Sequence, residues 1–330
     1  MGLFKRWALG IICVGSLVVL IFRNSNSSKN RVSPVDARVS PVAIAQKEMP
    51  QLEMPPVVVP ISGKQTQLKN GESFQLQLAM ALTMPEGPAK KLRLDQIFAL
   101  WGQQDGQAAL ASAVAEFEKS GNFSMMRSAL HGISEVNPGG ALDLLKAMNL
   151  SDRIKTDMGS ELLGQWVGKD AASASRWVTG NRYKEWWGGP AALVAEVWAR
   201  SDPQSAIQWS SQLSPGLDQM SALVAATSRW SKTDLQGVAD YVSRQSPGPS
   251  RDIMAGTLAH EFGQEDPLSG LKWAAAVQDP TGRQRAAAGA VADVYAKDPG
   301  QVKLILKQSD LSPQEQTAVL GRLQNGPWWK

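Results

Sequence analysis

Residues 197–209 read VWARSDPQSAIQW, and Trp198 and Trp209 stand on either side of the pair Asp202-Pro203. Aspartate is a preferred helix N-cap, because its carboxylate accepts a hydrogen bond from a free amide of the first helical turn. Proline suits the first helical position, where its fixed φ is favourable and its missing N–H costs nothing. The stretch therefore predicts the end of one helix, a tight corner and the start of a second helix.

The same pattern recurs along the chain at intervals of 32 or 33 residues. The first column is mostly aromatic and comprises Trp101, Ile133, Trp166, Trp198, Trp230, Phe262 and Tyr295. Four residues later stand residues that favour helix starts, namely Asp105, Asn137, Asp170, Asp202, Asp234, Asp266 and Asp298. Four residues further stand Ala109, Ala141, Ala174, Ala206, Val238, Gly270 and Val302, and three beyond those Ser112, Leu144, Trp177, Trp209, Tyr241, Trp273 and Ile305. Seven copies of one motif predict an array of two-helix units.

Each unit is predicted to consist of a helix A, the corner, a shorter helix B and a turn. In helix B the small column and the large column are three residues apart, so they share one face. Helix A carries a further apolar column four residues before its aromatic residue: Ile97, Ala129, Leu162, Val194, Ala226, Leu258 and Val291. The turns between units are rich in Ser, Pro and Gly, as in residues 214–216, 246–250 and 279–282.

The array is predicted to end with a capping helix. Residues 312–315 read SPQE, a capping box that opens a helix over TAVLGRL. Such a helix covers the apolar face of the last unit, as stacked arrays require. The predicted fold class is all-α: a right-handed α-solenoid of about seven helical hairpins of 32–33 residues plus the C-terminal capping helix. We assign this repeat domain to residues 91–330.

The two-helix unit of about 32 residues resembles the tetratricopeptide-type and Sel1-like solenoids. Its motif, W-x3-D-P-x2-A-x2-W, is similar to repeats of uncharacterised membrane-anchored bacterial proteins. The resemblance covers about residues 95–310 and departs from the tetratricopeptide signature, because proline stands here at the start of helix B rather than near the end of the unit. It implies a helical repeat fold and a protein-binding role, and it implies no particular partner or contact residue.

The N-terminus carries a membrane signal. Lys5 and Arg6 precede an uncharged apolar run over residues 7–22, which is near the lower length limit for crossing a bilayer. We interpret residues 1–23 as a retained signal-anchor that forms one transmembrane helix; a cleaved signal peptide is the alternative. Basic residues stand on both sides of the run, so the positive-inside rule gives no clear orientation. Because Cys13 is the only cysteine, the rest of the chain has no thiol to oxidise, and we place the repeat domain outside the cytoplasm, in the periplasm.

Residues 24–90 are predicted to form a mostly disordered tether. They include a short repeat of RVSPV at residues 31 and 38 and four prolines between residues 50 and 60. This composition buries too little apolar surface to offset the entropy of ordering. One local exception is the stretch TQLKNGESFQLQL, where Asn70-Gly71 between alternating residues indicates a β-hairpin.

The distribution of charge argues against nucleic-acid binding. Residues 1–94 contain 12 Lys and Arg against five Asp and Glu, a net charge of +7. Residues 95–330 contain 22 Lys and Arg against 25 Asp and Glu, a net charge of −3. The basic excess therefore belongs to the N-terminal segment, and the repeat domain offers no stripe that would bind phosphates.

Seven of the 12 tryptophans fall in the two aromatic columns, and this periodic spacing favours core packing over a ladder that stacks sugars or peptides. The turn over residues 181–190, NRYKEWWGGP, differs from the other turns in composition. Aromatic residues next to arginine are enriched at protein interfaces. The candidate partner-binding residues are therefore Arg182, Tyr183, Lys184, Trp186 and Trp187, together with Trp328 and Trp329 of the terminal sequence GPWWK; packing under the next repeat is the alternative.

No catalytic, cofactor or metal motif stands out. The two histidines, His131 and His260, lack metal-ligand spacing, and Gln264 occupies the position where an H-E-x-x-H motif needs its second histidine. We expect a non-catalytic, membrane-tethered scaffold without a cofactor that binds another envelope protein or a peptide. The alternative is a cell-wall saccharide-binding module or hydrolase built on an α-superhelix. Repeat arrays also serve in self-association, which the sequence leaves open.

Overall fold

The computed structural model describes residues 74–180 and 189–326. Within these residues the protein is all-helical, with fifteen helices and no strand. In chain order they are α1 (Phe74–Leu82), α2 (Pro88–Gln104), α3 (Gly106–Ser120), α4 (Ser124–Val136), α5 (Pro138–Ala147), α6 (Asp152–Gly180), α7 (Pro190–Trp198), α8 (Pro203–Gln212), α9 (Leu217–Ser231), α10 (Leu235–Ser243), α11 (Pro249–Gly263), α12 (Pro267–Ala275), α13 (Pro280–Lys297), α14 (Pro299–Lys307) and α15 (Pro313–Gln324). The predicted all-α class is confirmed.

All seven predicted corners are present. In each, the Asp or Asn side chain accepts a hydrogen bond of 2.8 to 3.0 Å from a backbone amide two or three residues later. The capping residues share one backbone conformation, with φ between −155° and −133° and ψ between 80° and 98°. At Asp170 this conformation interrupts α6, which therefore comprises two helices of one unit, residues 152–169 and 171–180. The recurring motif thus specifies one recurring bend.

The helices before the corners are the A helices: α2, α4, residues 152–169 of α6, α7, α9, α11 and α13. Consecutive A helices contact each other, and the B helices that follow the corners pack against their own A helix and the next one. The small column of helix B is fully buried in this arrangement, at Ala109, Ala141, Ala174, Ala206, Val238, Gly270 and Val302. Each two-helix unit therefore packs mainly against the units that precede and follow it in the sequence.

Glycines allow the A helices to approach closely. A Cβ atom at Gly132 of α4 would meet the carbonyl oxygen of Ala99 on α2, and one at Gly102 would meet the carbonyl oxygen of Ala129. The backbones of α2 and α4 thus touch where side chains would otherwise separate them. Polar side chains brace the same interface, because Ser124 and Ser128 both donate to Asp95, at 3.0 and 2.8 Å.

The predicted capping helix is α15. Its capping box is complete: the Ser312 hydroxyl accepts from the Glu315 amide, and the Glu315 carboxylate accepts from the Ser312 amide. Hydrogen bonding to Ser312, supported by the nearby Arg283 guanidinium 3.0 Å away, lowers the pKa of Glu315. Val319 and Leu323 are buried as α15 packs on α13.

The helical part begins earlier than the sequence predicted. Phe74–Leu82 forms helix α1, where a β-strand of a hairpin and part of a disordered tether were expected. Phe74 stacks on Trp101 with ring centroids 5.6 Å apart, and Leu78 and Ala81 are buried. The hairpin prediction is therefore wrong for these residues, because tertiary contacts with α2 decide the conformation of an ambiguous apolar stretch. The expected anchor and the tether before residue 74 lie outside the described residues.

Candidate functional site

The aromatic columns meet as pairs across the corners. Ring centroids are 6.2 Å apart for Trp166 and Trp177 and 6.3 Å apart for Trp198 and Trp209. The pairs of the next two units are Trp230 with Tyr241 at 5.3 Å and Phe262 with Trp273 at 6.1 Å. In these four hairpins the two helices are thus in contact through one ring from each.

Most of the tryptophans in these columns are partly buried in the core and partly exposed at the surface. Of the seven tryptophans in the columns, Trp101 and Trp230 are buried. The other five are half-buried and pack against the core: Trp166, Trp177, Trp198, Trp209 and Trp273. Core packing therefore accounts for Trp101 and Trp230 fully and for the other five in part, so these five also contribute to the surface.

A groove of about 410 Å³ lies between the B helices of the third and fourth units, residues 171–180 of α6 and helix α8. Its lining residues are Ser175, Arg176, Thr179, Gly180, Trp209, Gln212 and Leu213. The Trp209 indole N–H points across the groove and donates to the Thr179 hydroxyl at 3.3 Å. The groove thus combines an aromatic wall with polar groups, the mixture that ligand sites use for contact area and orientation.

The groove carries the positive charge of Arg176, whose side chain is held in part by a hydrogen bond. The Arg176 guanidinium donates to the Ser173 hydroxyl at 2.7 Å. Ser173 also donates to the cap Asp170, and its hydrogen bonds, with the nearby charge of Arg176, lower the pKa of that carboxyl. Because Arg176 is exposed, its guanidinium is available to a carboxylate ligand.

One lining residue of the groove is a direct sequence neighbour of the turn that the sequence singled out. The lining ends at Gly180, the residue before the stretch 181–188, which contains Arg182, Tyr183, Lys184, Trp186 and Trp187. Those five residues lie outside the described part of the chain, as do Trp328 and Trp329. The groove residues Arg176, Thr179 and Gln212 were not predicted, because they come from two repeats and meet only in the folded chain.

A surface carboxyl lies beside one of the aromatic pairs. Partial desolvation raises the pKa of Asp143 on α5, which is exposed at the surface, while a hydrogen bond from Trp177 and the charge of Lys146 act in the opposite direction. The Trp177 ring also contacts the position where Gly139 would carry a Cβ atom. Asp143 therefore orients Trp177 between the second and third units.

The two histidines have structural partners. His131 Nε2 lies 2.9 Å from the Glu161 carboxylate and so links α4 to α6. His260 Nδ1 lies 3.3 Å from the carbonyl oxygen of Gly289 and links α11 to α13. Glu135 and Lys169 form a further link between α4 and α6, at 2.7 Å. These polar groups brace successive A helices.

Residues 74–180 and 189–326 contain neither a metal-binding cluster nor a membrane-spanning helix. These residues bring together no group of three or more His, Cys, Asp or Glu side chains that could hold a metal ion. None of their helices has the length and apolar character needed to cross a membrane. The run over residues 7–22 lies outside this part of the chain.

No protein-family model, curated protein or solved structure matches the chain. The likeness to tetratricopeptide-type and Sel1-like arrays therefore rests on the repeated motif alone. The functional conclusion depends on the stack of hairpins and on the groove between the third and fourth units.

Proposed function

We propose that the protein is a membrane-tethered helical-repeat scaffold that binds another envelope protein or a peptide and performs no catalysis. Its seven hairpins and capping helix form a right-handed α-solenoid. The apolar run over residues 7–22 anchors the chain in the membrane by a single pass, and the repeat domain lies on the periplasmic side. This organisation holds an extended binding surface at a distance from the bilayer.

The observation that carries this proposal is the groove between residues 171–180 and α8. It is open, it has an aromatic wall at Trp209, and it offers Arg176 and Gln212 as polar contacts. One of its lining residues, Gly180, directly precedes in the sequence the turn that carries Trp186 and Trp187, and aromatic residues with arginine are enriched among residues that dominate binding energy.

In-cell crosslinking and mass spectrometry test the scaffold function. The native chain is compared with a Trp186→Ala/Trp187→Ala variant whose helicity and melting temperature equal those of the native chain. A reproducible envelope partner captured by the native chain and lost by the variant supports binding at this turn. Capture of the same partner by both moves the interface to another face, and the absence of any protein partner contradicts the scaffold function.

The alternative is a saccharide-binding module or hydrolase of the cell wall. It is favoured by one observation, the exposed edge of Trp209 beside hydroxyl and amide groups, since flat sugar faces stack on such rings. Retention of the native chain on purified cell-wall glycan, lost on Trp209→Ala, would support it. Self-association is a separate role of repeat arrays, and a concentration-dependent sedimentation profile would reveal it.

A further inference from the structure

Helix α1 occupies the position of a B helix. Phe74 begins α1 32 residues before Gly106 begins α3, which is the length of one repeat. With nine residues α1 is as long as the B helices α10, α12 and α14. It joins α2 through Gly87 at φ 156°, as Gly216 at φ 148° precedes α9. The array therefore starts with helix B of a unit whose helix A is not among the described helices.

Helix α2 exposes the face with which an A helix contacts the preceding A helix. In α4 that face contains Ser124, which donates to Asp95, and Gly132, which approaches Ala99. The residues one repeat earlier are Leu92 and Leu100, and they are 60% and 40% exposed. Two large apolar side chains thus stand where α2 has no preceding A helix to contact.

Helix α1 exposes the face with which a B helix contacts its own A helix. Met80 lies one repeat before Ser112 and so belongs to the second aromatic column, where Trp273 stacks on Phe262 of its own A helix at 6.1 Å. Met80 is 56% exposed. The exposed residues of α1 and α2 therefore border the position of an A helix that is not among the described helices. We name this surface the open groove and define it by Met80, Leu92 and Leu100.

The C-terminal end of the array has a polar outer surface, unlike the N-terminal end. The outer side of α15 carries the exposed polar residues Gln314, Thr317 and Gln324. Terminal repeats need such a polar outer face to remain soluble. Apolar residues at the first end consequently indicate a face that is covered by another helix.

The chain's own sequence one repeat before α2 is poorly suited to a helix. One repeat before α2 stand residues 56–72, which include Pro60 in the interior and the pair Asn70-Gly71. Proline removes a hydrogen bond and clashes within a helix, and glycine weakens one. A second copy joined head to tail would place the polar outer side of α15 on the apolar open groove, which is a poor match.

The charges beside the open groove indicate the class of partner. Lys91 and Arg93 flank Leu92 in the sequence and are exposed, and α1 contains no charged residue. Lys90 is paired with Glu86 at 2.6 Å, and the Asp95 carboxylate accepts from two serine hydroxyls of α4. Arg93 donates to the neutral Gln77 amide oxygen at 3.1 Å, and within the described residues neither Lys91 nor Arg93 forms an ion pair. A helix with apolar residues on one side and acidic residues next to Lys91 and Arg93 complements this surface.

We propose that the open groove binds an acidic amphipathic helix of a partner protein, which takes the position that an A helix before α1 would have in the array. The leucines set an ordinary helix-to-helix separation of about 8 to 10 Å in place of the close contact made by Gly132. The partner's apolar side packs on Leu92, Leu100 and Met80, and its acidic residues pair with Lys91 and Arg93. This inference rests on the scaffold function and names the surface and the class of partner.

The test uses a labelled peptide of residues 249–264 as the probe and the full-length chain in detergent micelles. This peptide is helix α11, which in the protein lies against α12 and α13, the counterparts of α1 and α2. Fluorescence anisotropy is expected to show saturable binding to the native chain. A Leu92→Glu/Leu100→Glu variant is expected to bind at least about tenfold more weakly, because glutamates cannot be buried against the apolar side of the peptide.

Two controls distinguish peptide binding at the open groove from nonspecific binding to exposed apolar residues. The Leu304→Glu variant changes an equally exposed leucine on α14 and is expected to bind like the native chain. A peptide with Leu258→Glu and Phe262→Glu is expected not to bind. Circular dichroism melts of every variant must match that of the native chain.

Several results would overturn the inference. They are the absence of peptide binding to the native chain, equal binding by the Leu92→Glu/Leu100→Glu variant, and sedimentation as a dimer that this variant alone converts to a monomer. Tighter peptide binding after deletion of residues 50–61 would assign the groove to the chain's own segment instead. If in-cell crosslinking captures the same partner with the Leu92→Glu/Leu100→Glu variant, the scaffold function stands and only the groove assignment fails.

Discussion

Trp198 and Trp209 lie on the two helices of one hairpin with ring centroids 6.3 Å apart, on either side of the cap residue Asp202. Asp202 holds the bend by accepting from the Ser205 amide at 3.0 Å. The cap fixes the direction in which α8 leaves the corner, and the ring pair fixes how far α8 stands from α7. Cap and rings thus act as one unit, which explains why they recur together in the sequence.

Loss of one cap is expected to weaken the whole array. An Asp202→Ala variant leaves a first-turn amide of α8 without its acceptor, and the free energy of unfolding should fall by about 1 kcal/mol. Asp202→Asn should retain most of it, because Asn137 already caps α5 in the same way at 2.9 Å. Urea denaturation followed by circular dichroism measures both, and an equal loss in the two variants would contradict a capping role.

Acid is expected to destabilise the corners. Hydrogen bonds from Ser173, Ser205 and Ser269 lower the pKa values of Asp170, Asp202 and Asp266. A carboxyl whose pKa is lower in the folded than in the unfolded chain contributes stability above its unfolded pKa, about 3.9, and that stability is lost as the pH falls through the folded pKa. The melting temperature should therefore fall as the pH is lowered below about 4.

A triple variant isolates this effect. Asp170→Asn/Asp202→Asn/Asp266→Asn keeps an acceptor at each corner but removes three titrating groups, so its melting temperature should depend less on pH in the same range. Asp143 stays unchanged in both chains, because its raised pKa gives the opposite pH dependence. Identical pH profiles for the two chains would show that the acid sensitivity arises elsewhere.

The corners were predictable because they depend on local chemistry, in which an Asp or Asn side chain meets an amide two or three residues away. Helix α1 was not predictable from its sequence. The buried Gln77 stands where the other units have a small residue, and the contact of Phe74 with Trp101 joins residues of two different units. The groove at Trp209 was also not predictable from the sequence, because Arg176 and Gln212 are 36 positions apart. Local capping is readable from a sequence, whereas a surface formed by successive units requires their relative placement.

Close helix contact predicts opposite effects at two glycines. A Gly132→Ala methyl group would meet the Ala99 carbonyl oxygen, and the resulting overpacking should destabilise the chain by about 1 to 3 kcal/mol. Gly164→Ala places the same group in open space within helix α6 and should stabilise the chain by about 0.5 to 1 kcal/mol. Thermal melts of both variants test this, and destabilisation by Gly164→Ala would argue against it.

Trp209→Phe separates packing from binding. The change keeps an aromatic ring against Trp198 but removes the N–H that donates to Thr179, and the free energy of unfolding should change by less than about 1.5 kcal/mol. If partner segments lie in the groove, the crosslinking yield should fall. Trp273→Phe is the matched control, because it changes the same position of a different unit. Equal yields for the two variants would exclude the groove as the contact surface.

Removal of the capping helix is expected to destabilise the array from its C-terminal end. Truncation after Asp310 uncovers the face of α13 against which Val319 and Leu323 pack, and it removes the partner of Arg283. The loss of these two side chains and of the buried Leu311, at about 1.5 to 3 kcal/mol each, should lower the melting temperature and cause aggregation that increases with protein concentration. Truncation after Gly326 removes Trp328 and Trp329 but leaves α15 intact, so its melting temperature should equal that of the full chain. Light scattering during thermal melts compares the two truncations, and equal melting of the shorter chain would show that the last unit is stable without its cap.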